Sequence, residues 1–161
     1  MAREMLVAGV TVDPMTKSPI VVLKDRENRC ALPIWIGLLE ANAIVLALEG
    51  VELPRPMTHD LMKSVLETTG NSLRKVEITD IRDNTYYASL HLEGNGGRFT
   101  VDSRPSDAIA LALRFDVPVL VSEGVLEKAV AVDTGNGEEG EDPWMELLEK
   151  MDPGQFSKYK M

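Results

Sequence analysis

The chain has 161 residues, 44% of them apolar and 5% aromatic, with one cysteine and a formal charge of -9. That length holds one domain and a short remainder, with a core of aliphatic side chains. The single Cys30 excludes an internal disulfide and a thiolate zinc cluster, in keeping with a reducing cytoplasm. The acidic balance argues against a tight, sequence-independent nucleic-acid binder.

The first elements read as strands. "EMLVAGVTVD" alternates with period two, Leu6, Ala8, Val10 and Val12 against Met5, Val7, Gly9 and Thr11, and both faces are apolar enough for a central strand. "IVVLKD" follows the turn "DPMTKSP" as the second arm of a hairpin. "CALPIWI" is a third strand, in which Cys30 reads as a small buried residue and Pro33 marks an edge or a bulge. The start lacks the pattern of a signal peptide, and no apolar run is long enough to span a membrane.

Two helices come next. In "LLEANAIVLALEG" the residues Leu38, Ala41, Ile44, Val45 and Leu48 share a face, and Gly50 suits the C-terminus. In "THDLMKSVLETTG" Thr58 is the expected cap, and Leu61, Val65 and Leu66, with Met62 beside them, are the expected buried stripe. "SLRKVEITDI", "TYYASLHLEG" and "RFTVD" then form an antiparallel meander, although the first alternates imperfectly. A helix from about Arg104 to Arg114, the short strand "VPVLVS" and the small helix "EGVLEKAV" complete the body. The order βββααβββαβα predicts an α+β fold with antiparallel or mixed sheets and packed helices.

Domain limits follow from composition. Residues 1–132 form the body, 133–142 an acidic flexible linker, and 143–161 a C-terminal amphipathic helix and tail. In that helix Trp144, Leu147, Leu148 and Met151 are spaced i, i+3, i+4, i+7. Such a face must dock, on its own body by preference or on a partner subunit.

Two Arg-Pro corners precede helices, "RPMTHDL" at Arg55–Leu61 and "SRPSDAI" at Ser103–Ile109. Helix N-termini attract phosphate and carboxylate, and arginine adds a planar fork for phosphate oxygens. Arg55, Arg104, Thr58, Ser103 and Ser106 are therefore the candidate substrate-binding residues, and His59, Asp60, Asp102 and Asp107 the candidate catalytic ones. A divalent cation, Mg²⁺ or Mn²⁺, would be held by Asp102, Asp107 and Glu40, because two histidines and one cysteine leave only carboxylates. No motif for an organic cofactor is present. Each residue also has an ordinary structural use: serine and threonine cap helices, aspartate complements the dipole, and arginine pairs with carboxylates. The repetition of the combination is what raises the chemical reading, and a shared site requires the corners to meet in space.

The blocks "LPIWIGLLEANAIVLALEG", "RPMTHDLM" and "DSRPSDAIALALRFDVPVLVSEGVLEKA" occur together and in order. Over roughly residues 4–130 the chain resembles the bifunctional nuclease domain, as a bacterial member. The resemblance implies an α+β domain, often self-associated, with a dimer favoured, and hydrolysis of phosphodiester bonds in DNA and RNA. The alternatives are a non-enzymatic regulatory or protein-interaction domain, and a hydrolase of small phosphate esters or nucleotides.

Overall fold

The computed structural model describes residues 1–129 and the backbone of residues 132–133. The remainder of the expected linker and the expected C-terminal helix, with Trp144, Leu147, Leu148 and Met151, lie outside the described residues.

The elements in chain order are β1 (Ala2–Val12), β2 (Pro19–Asp25), β3 (Cys30–Trp35), α1 (Leu38–Leu48), α2 (Thr58–Thr68), β4 (Asn71–Arg82), β5 (Thr85–Gly94), β6 (Gly97–Ser103), α3 (Pro105–Phe115), β7 (Val119–Ser122), α4 (Glu123–Lys128) and β8 (Val132–Asp133). This is the expected order with a two-residue strand added. The hairpin and the meander are joined into one eight-stranded sheet, β6-β5-β4-β7-β1-β2-β3-β8. The joint is β7, which pairs antiparallel with β1 and parallel with β4. A four-residue strand can do this because one of its faces is sunk in the core: Val119 is 5% and Val121 0% exposed. Pro33 does lie where β3 is an edge, since β8 pairs only with Cys30 and Ala31. Cys30 itself is half-buried rather than buried.

Bulges explain the irregular alternation. In β1 the register shifts between Val7 and Gly9, so Met5, Val7 and Val10 all pack against one core, across the break in period two. In β4 shifts at Leu73/Lys75 and Ile78/Asp80 bring Leu73, Val76, Ile78 and Ile81 to that same core. Period-two counting alone puts Met5 and Val10 on opposite faces; the extra residue of each bulge resets the count.

Helix α3 is the central support. Its residues Pro105, Ser106 and Ala108 to Ala112 are buried, and small alanines let it approach β4 and β5 closely. Helix α1 packs against α3 and over β1 and β2, burying Ala41 and Ile44. Leu38 and Leu48, expected on that buried face, are 75% and 38% exposed, because the contact with α3 is narrow and centres on the middle of α1. Helix α2 departs further. Leu61 and Val65 are each 53% exposed and Met62 37%, whereas His59 is its one buried residue. It leans on the flank of α3 and the start of β4, so Leu61 and Val65 are turned outward, and of the expected stripe Leu66 alone packs against the core. Its first helical residue is Thr58, with Met57 as the cap, and Gly70 follows the helix with φ +82°, a conformation suited to glycine.

These placements separate the helices energetically. Leu111→Ala, at a fully buried site, is expected to cost about 2–5 kcal/mol in denaturant unfolding. Leu61→Ala is expected to stay within about 0.5 kcal/mol in the monomer.

Candidate active site

The two Arg-Pro corners meet. They do so because α2 and α3 start side by side, each fixed by a buried or half-buried partner. Arg114, in the last turn of α3, is the fastening. Its side chain is 8% exposed. Its Nε donates to Asp60 Oδ1 at 2.7 Å, Nη1 to the Ala110 carbonyl at 2.9 Å and Nη2 to the Ala43 carbonyl at 3.0 Å. One guanidinium thus holds α1, α2 and α3 together. Asp60 completes the start of α2 by accepting the Met57 N–H at 3.0 Å on its other oxygen. The Arg114 hydrogen bond holds the Asp60 carboxyl below the usual carboxylate range, against a smaller opposing effect of burial.

With the helices so fixed, His59 of α2 faces Asp107 of α3, Nε2 to Oδ1 at 2.9 Å. Asp107 Oδ2 accepts from Arg104, whose Nε and Nη2 each lie 3.0 Å away. Arg104 Nη1 donates to Glu40 Oε1 at 2.9 Å. A continuous chain His59–Asp107–Arg104–Glu40 therefore joins the starts of three helices. Glu40 is placed by Gly37: its carboxylate folds back over that glycine so closely that a Cβ there would overlap it. The chain lines a cavity of about 440 Å³ whose other walls include Leu39, Leu46, Met57 and Met62.

The electrostatics follow from these contacts. The His59 hydrogen bond is the main cause that lowers the Asp107 carboxyl; partial burial opposes it and Arg104 adds to it. Glu40, and then Asp107, hold the Arg104 guanidinium more firmly protonated. Asp107 is thus an anion that orients the imidazole. When the ring is neutral, Nε2–H donates to Asp107 and Nδ1 is left as a lone pair with no hydrogen bond among the described residues.

The remaining candidates are placed as follows. Thr58 lines the cavity. Asp60 is committed to Arg114 and opens on a neighbouring cavity with Lys63 and Glu67. Asp102 is exposed on β6, paired with Ser89 and alternating with Val101, which stands opposite the buried Leu90. It therefore belongs to the sheet face away from α3. Arg55 is exposed in the loop before α2 and makes no hydrogen bond or ion pair within the described residues. The Ser103 hydroxyl donates to the Arg104 carbonyl at 2.9 Å, and Ser106 is fully buried with its Oγ unpartnered. Neither serine caps α3, whose cap is Arg104. Among the described residues no group of three or more histidine, cysteine or acidic side chains is close enough to hold a metal ion, so Asp102, Asp107 and Glu40 are not assembled as one ligand set. His91 lies on the far face of β5, Nε2 3.5 Å from Glu77. Sequence reasoning missed Arg114, because an arginine in a last helical turn reads first as a complement to the helix dipole.

A pH dependence follows from Asp107. Its native pKa is depressed, so its contribution is present above the unfolded value of about 4 and lost as pH falls through the lower native value. Asp107→Asn is expected to lose on the order of 1 kcal/mol at neutral pH. The gap from wild type should close as thermal unfolding is followed into acid.

Known proteins share this arrangement of sequence. The family profile of the bifunctional nuclease domain matches residues 21–133. An uncharacterized protein of Mycobacterium tuberculosis is 43% identical over 126 residues, covering 78% of this chain and 75% of its own. Bifunctional nuclease 1 of Oryza sativa subsp. indica is 30% identical over 109 residues, 66% of this chain and 33% of the plant protein. Bifunctional nuclease 1 of Arabidopsis thaliana is 33% identical over 109 residues, 65% of this chain and 34% of its own. The chain thus spans about a third of each of these two plant relatives. With a profile match across most of the body, the chain belongs to the bifunctional nuclease domain family.

Proposed function

We propose that the protein hydrolyses phosphodiester bonds of DNA and RNA at the cavity where His59, Asp107 and Arg104 meet. The single observation that carries the reading is the 2.9 Å contact between His59 and Asp107, which turns two separate corners into one oriented acid–base group. His59 Nδ1 takes a proton from the attacking water, Asp107 stabilises the imidazolium that forms, and the ring returns the proton to the leaving oxygen. Three of the five N–H groups of Arg104 face Asp107 and Glu40. The other two remain to meet a phosphate oxygen as charge develops on it. Thr58 adds a hydroxyl at the rim.

Because both carboxylates offset Arg104, the phosphate meets directed donors rather than a strongly positive field. That fits a chain of formal charge -9. Glu40 and Asp107 are the carboxylates of the cavity that would hold a divalent cation, Mg²⁺ or Mn²⁺, which would supply further charge stabilisation to the phosphate. A cavity of about 440 Å³ also has room for a single nucleotide, which supports hydrolysis of small phosphate esters as the second reading.

The decisive assay compares wild type, His59→Ala, Asp107→Asn and Asp60→Asn, purified identically, on labelled DNA, RNA and mononucleotides with Mg²⁺, Mn²⁺ or a chelator. The first two variants are expected to lose on the order of 10²–10⁴-fold in kcat. Asp60→Asn is expected to lower thermal stability while cleavage persists. Equal cleavage by wild type and His59→Ala would remove His59 from the chemistry.

For quaternary structure we propose a dimer that covers the outward apolar stripe of α2, where Leu61 and Val65 are each 53% exposed. A contiguous apolar face of this kind is a usual mark of association. Sedimentation equilibrium should show dimer for wild type and monomer for Leu61→Asp/Val65→Asp.

A further inference from the structure

The eight-stranded sheet ends in β6, and among the described residues no strand pairs with its outer edge. That edge is unguarded. Residues 97–102 are all exposed, and the strand holds neither lysine nor proline. Its register with β5 runs without a bulge from Ser103 to Gly97. Natural edge strands carry such guards because a free row of N–H and C=O groups is a template for another strand. The apolar side of β6 is open as well. Phe99 stands opposite Leu92 and Val101 opposite Leu90. Leu92 and Leu90 are 4% and 5% exposed, whereas Phe99 is 44% and Val101 42%. Helix α3 packs on β4 and β5, and its cover ends before β6.

We infer that β6 pairs antiparallel with β6 of a second copy of this chain, joining the two sheets into one. The inference rests on the dimer proposed above and names the strand that builds it. The order of residues along the edge selects this occupant, because it is complementary to itself. Arg98, Thr100 and Asp102 alternate to the face away from α3, and Phe99 and Val101 to the face that carries it. A two-fold axis at Thr100 sets Arg98 opposite Asp102 of the partner subunit, Phe99 opposite the partner's Val101, and Thr100 opposite the partner's Thr100. The symmetry makes each of the first two pairs twice. An opposite-charge pair, an aromatic with a β-branched residue and a threonine pair are all favourable cross-strand neighbours. A slip of two residues in either direction would break both ion pairs. Asp102 makes no hydrogen bond or ion pair among the described residues. Arg98 is 85% exposed, with Glu93 3.7 Å away. A two-fold of this kind keeps the faces of the sheet, so the helices of both copies lie on one side. Gly70, which ends α2, stands beside the Asn95 side chain of the β5–β6 turn. Helix α2 therefore reaches toward this edge, and its exposed Leu61 and Val65 rim the same interface. Strand β6 runs directly into Arg104, the cap of α3, so the joined edge also anchors the corner that presents the guanidinium.

The test compares the full wild-type chain with Arg98→Asp, Asp102→Arg and the double exchange by sedimentation equilibrium. Each single change sets like charges opposite one another twice and should weaken dimerisation on the order of tenfold. The double exchange should restore it. Thr100→Cys in a Cys30→Ser background gives a second readout that leaves the edge charges in place. Its Cα atoms would lie about 4.5–5.5 Å apart across the axis, within disulfide reach, so mild oxidation should yield a covalent dimer. Absence of that cross-link at concentrations where the chain is dimeric would overturn the inference and leave a dimer through α2 alone. Single charge variants that dimerise as tightly as wild type would do the same. A wild-type chain that is monomeric at every concentration would overturn the dimer itself, and this inference with it.

Discussion

The geometry of the site depends on one buried arginine. Arg114 sits at the end of α3, yet its hydrogen bonds reach the α1 backbone and the Asp60 side chain of α2. A guanidinium excluded from water must satisfy its donors within the protein. It does so only if three helices hold one arrangement. That arrangement places the start of α2 against the start of α3, and His59 in front of Asp107. The alanine run of α3 supports the same constraint, since small side chains let that helix seat deeply on β4 and β5.

The constraint divides the labour of two corners that look alike in sequence. Each carries an arginine, at least one hydroxyl and an aspartate at the start of a helix. In the first, the aspartate turns inward to Arg114 and becomes structural, while the histidine beside it faces the cavity. In the second, the arginine and the aspartate face the cavity and each other. The site therefore takes its imidazole from one corner and its carboxylate and guanidinium from the other. Glu40, from a third helix start, completes it. Helix α2 bears the consequence: with His59 directed inward, Leu61 and Val65 are left on the surface.

The fold was largely legible in the sequence because strand order, turn residues and helix limits are local properties. The faces were less so. Met5, Val7 and Val10 share one core only because of a bulge, and Leu73, Val76, Ile78 and Ile81 only because of two more. A bulge leaves no reliable mark on hydrophobic periodicity. Leu61 and Val65 fit a helical stripe, but whether such a stripe meets a core or a surface is decided by neighbours far away in sequence. In the site, His59, Asp107, Arg104 and Glu40 were legible as residue types beside helix starts, and their convergence was not. Asp102 stands two residues before Arg104 and still belongs to the other face of the sheet, since strand alternation outweighs nearness in sequence. Arg114 carried no sequence signal of its tertiary role.

The central claim is that Asp107 fixes His59 in a single orientation with Nδ1 free to act as a base. Long-range proton–nitrogen correlation spectra of the two histidines, at a pH where the imidazoles are neutral, test it directly. The geometry predicts a pure Nε2–H tautomer for His59, with its Nε2 proton protected from exchange, and loss of that preference in Asp107→Ala. A mixture of tautomers at His59, or an Nδ1–H form unaffected by Asp107→Ala, would contradict the account.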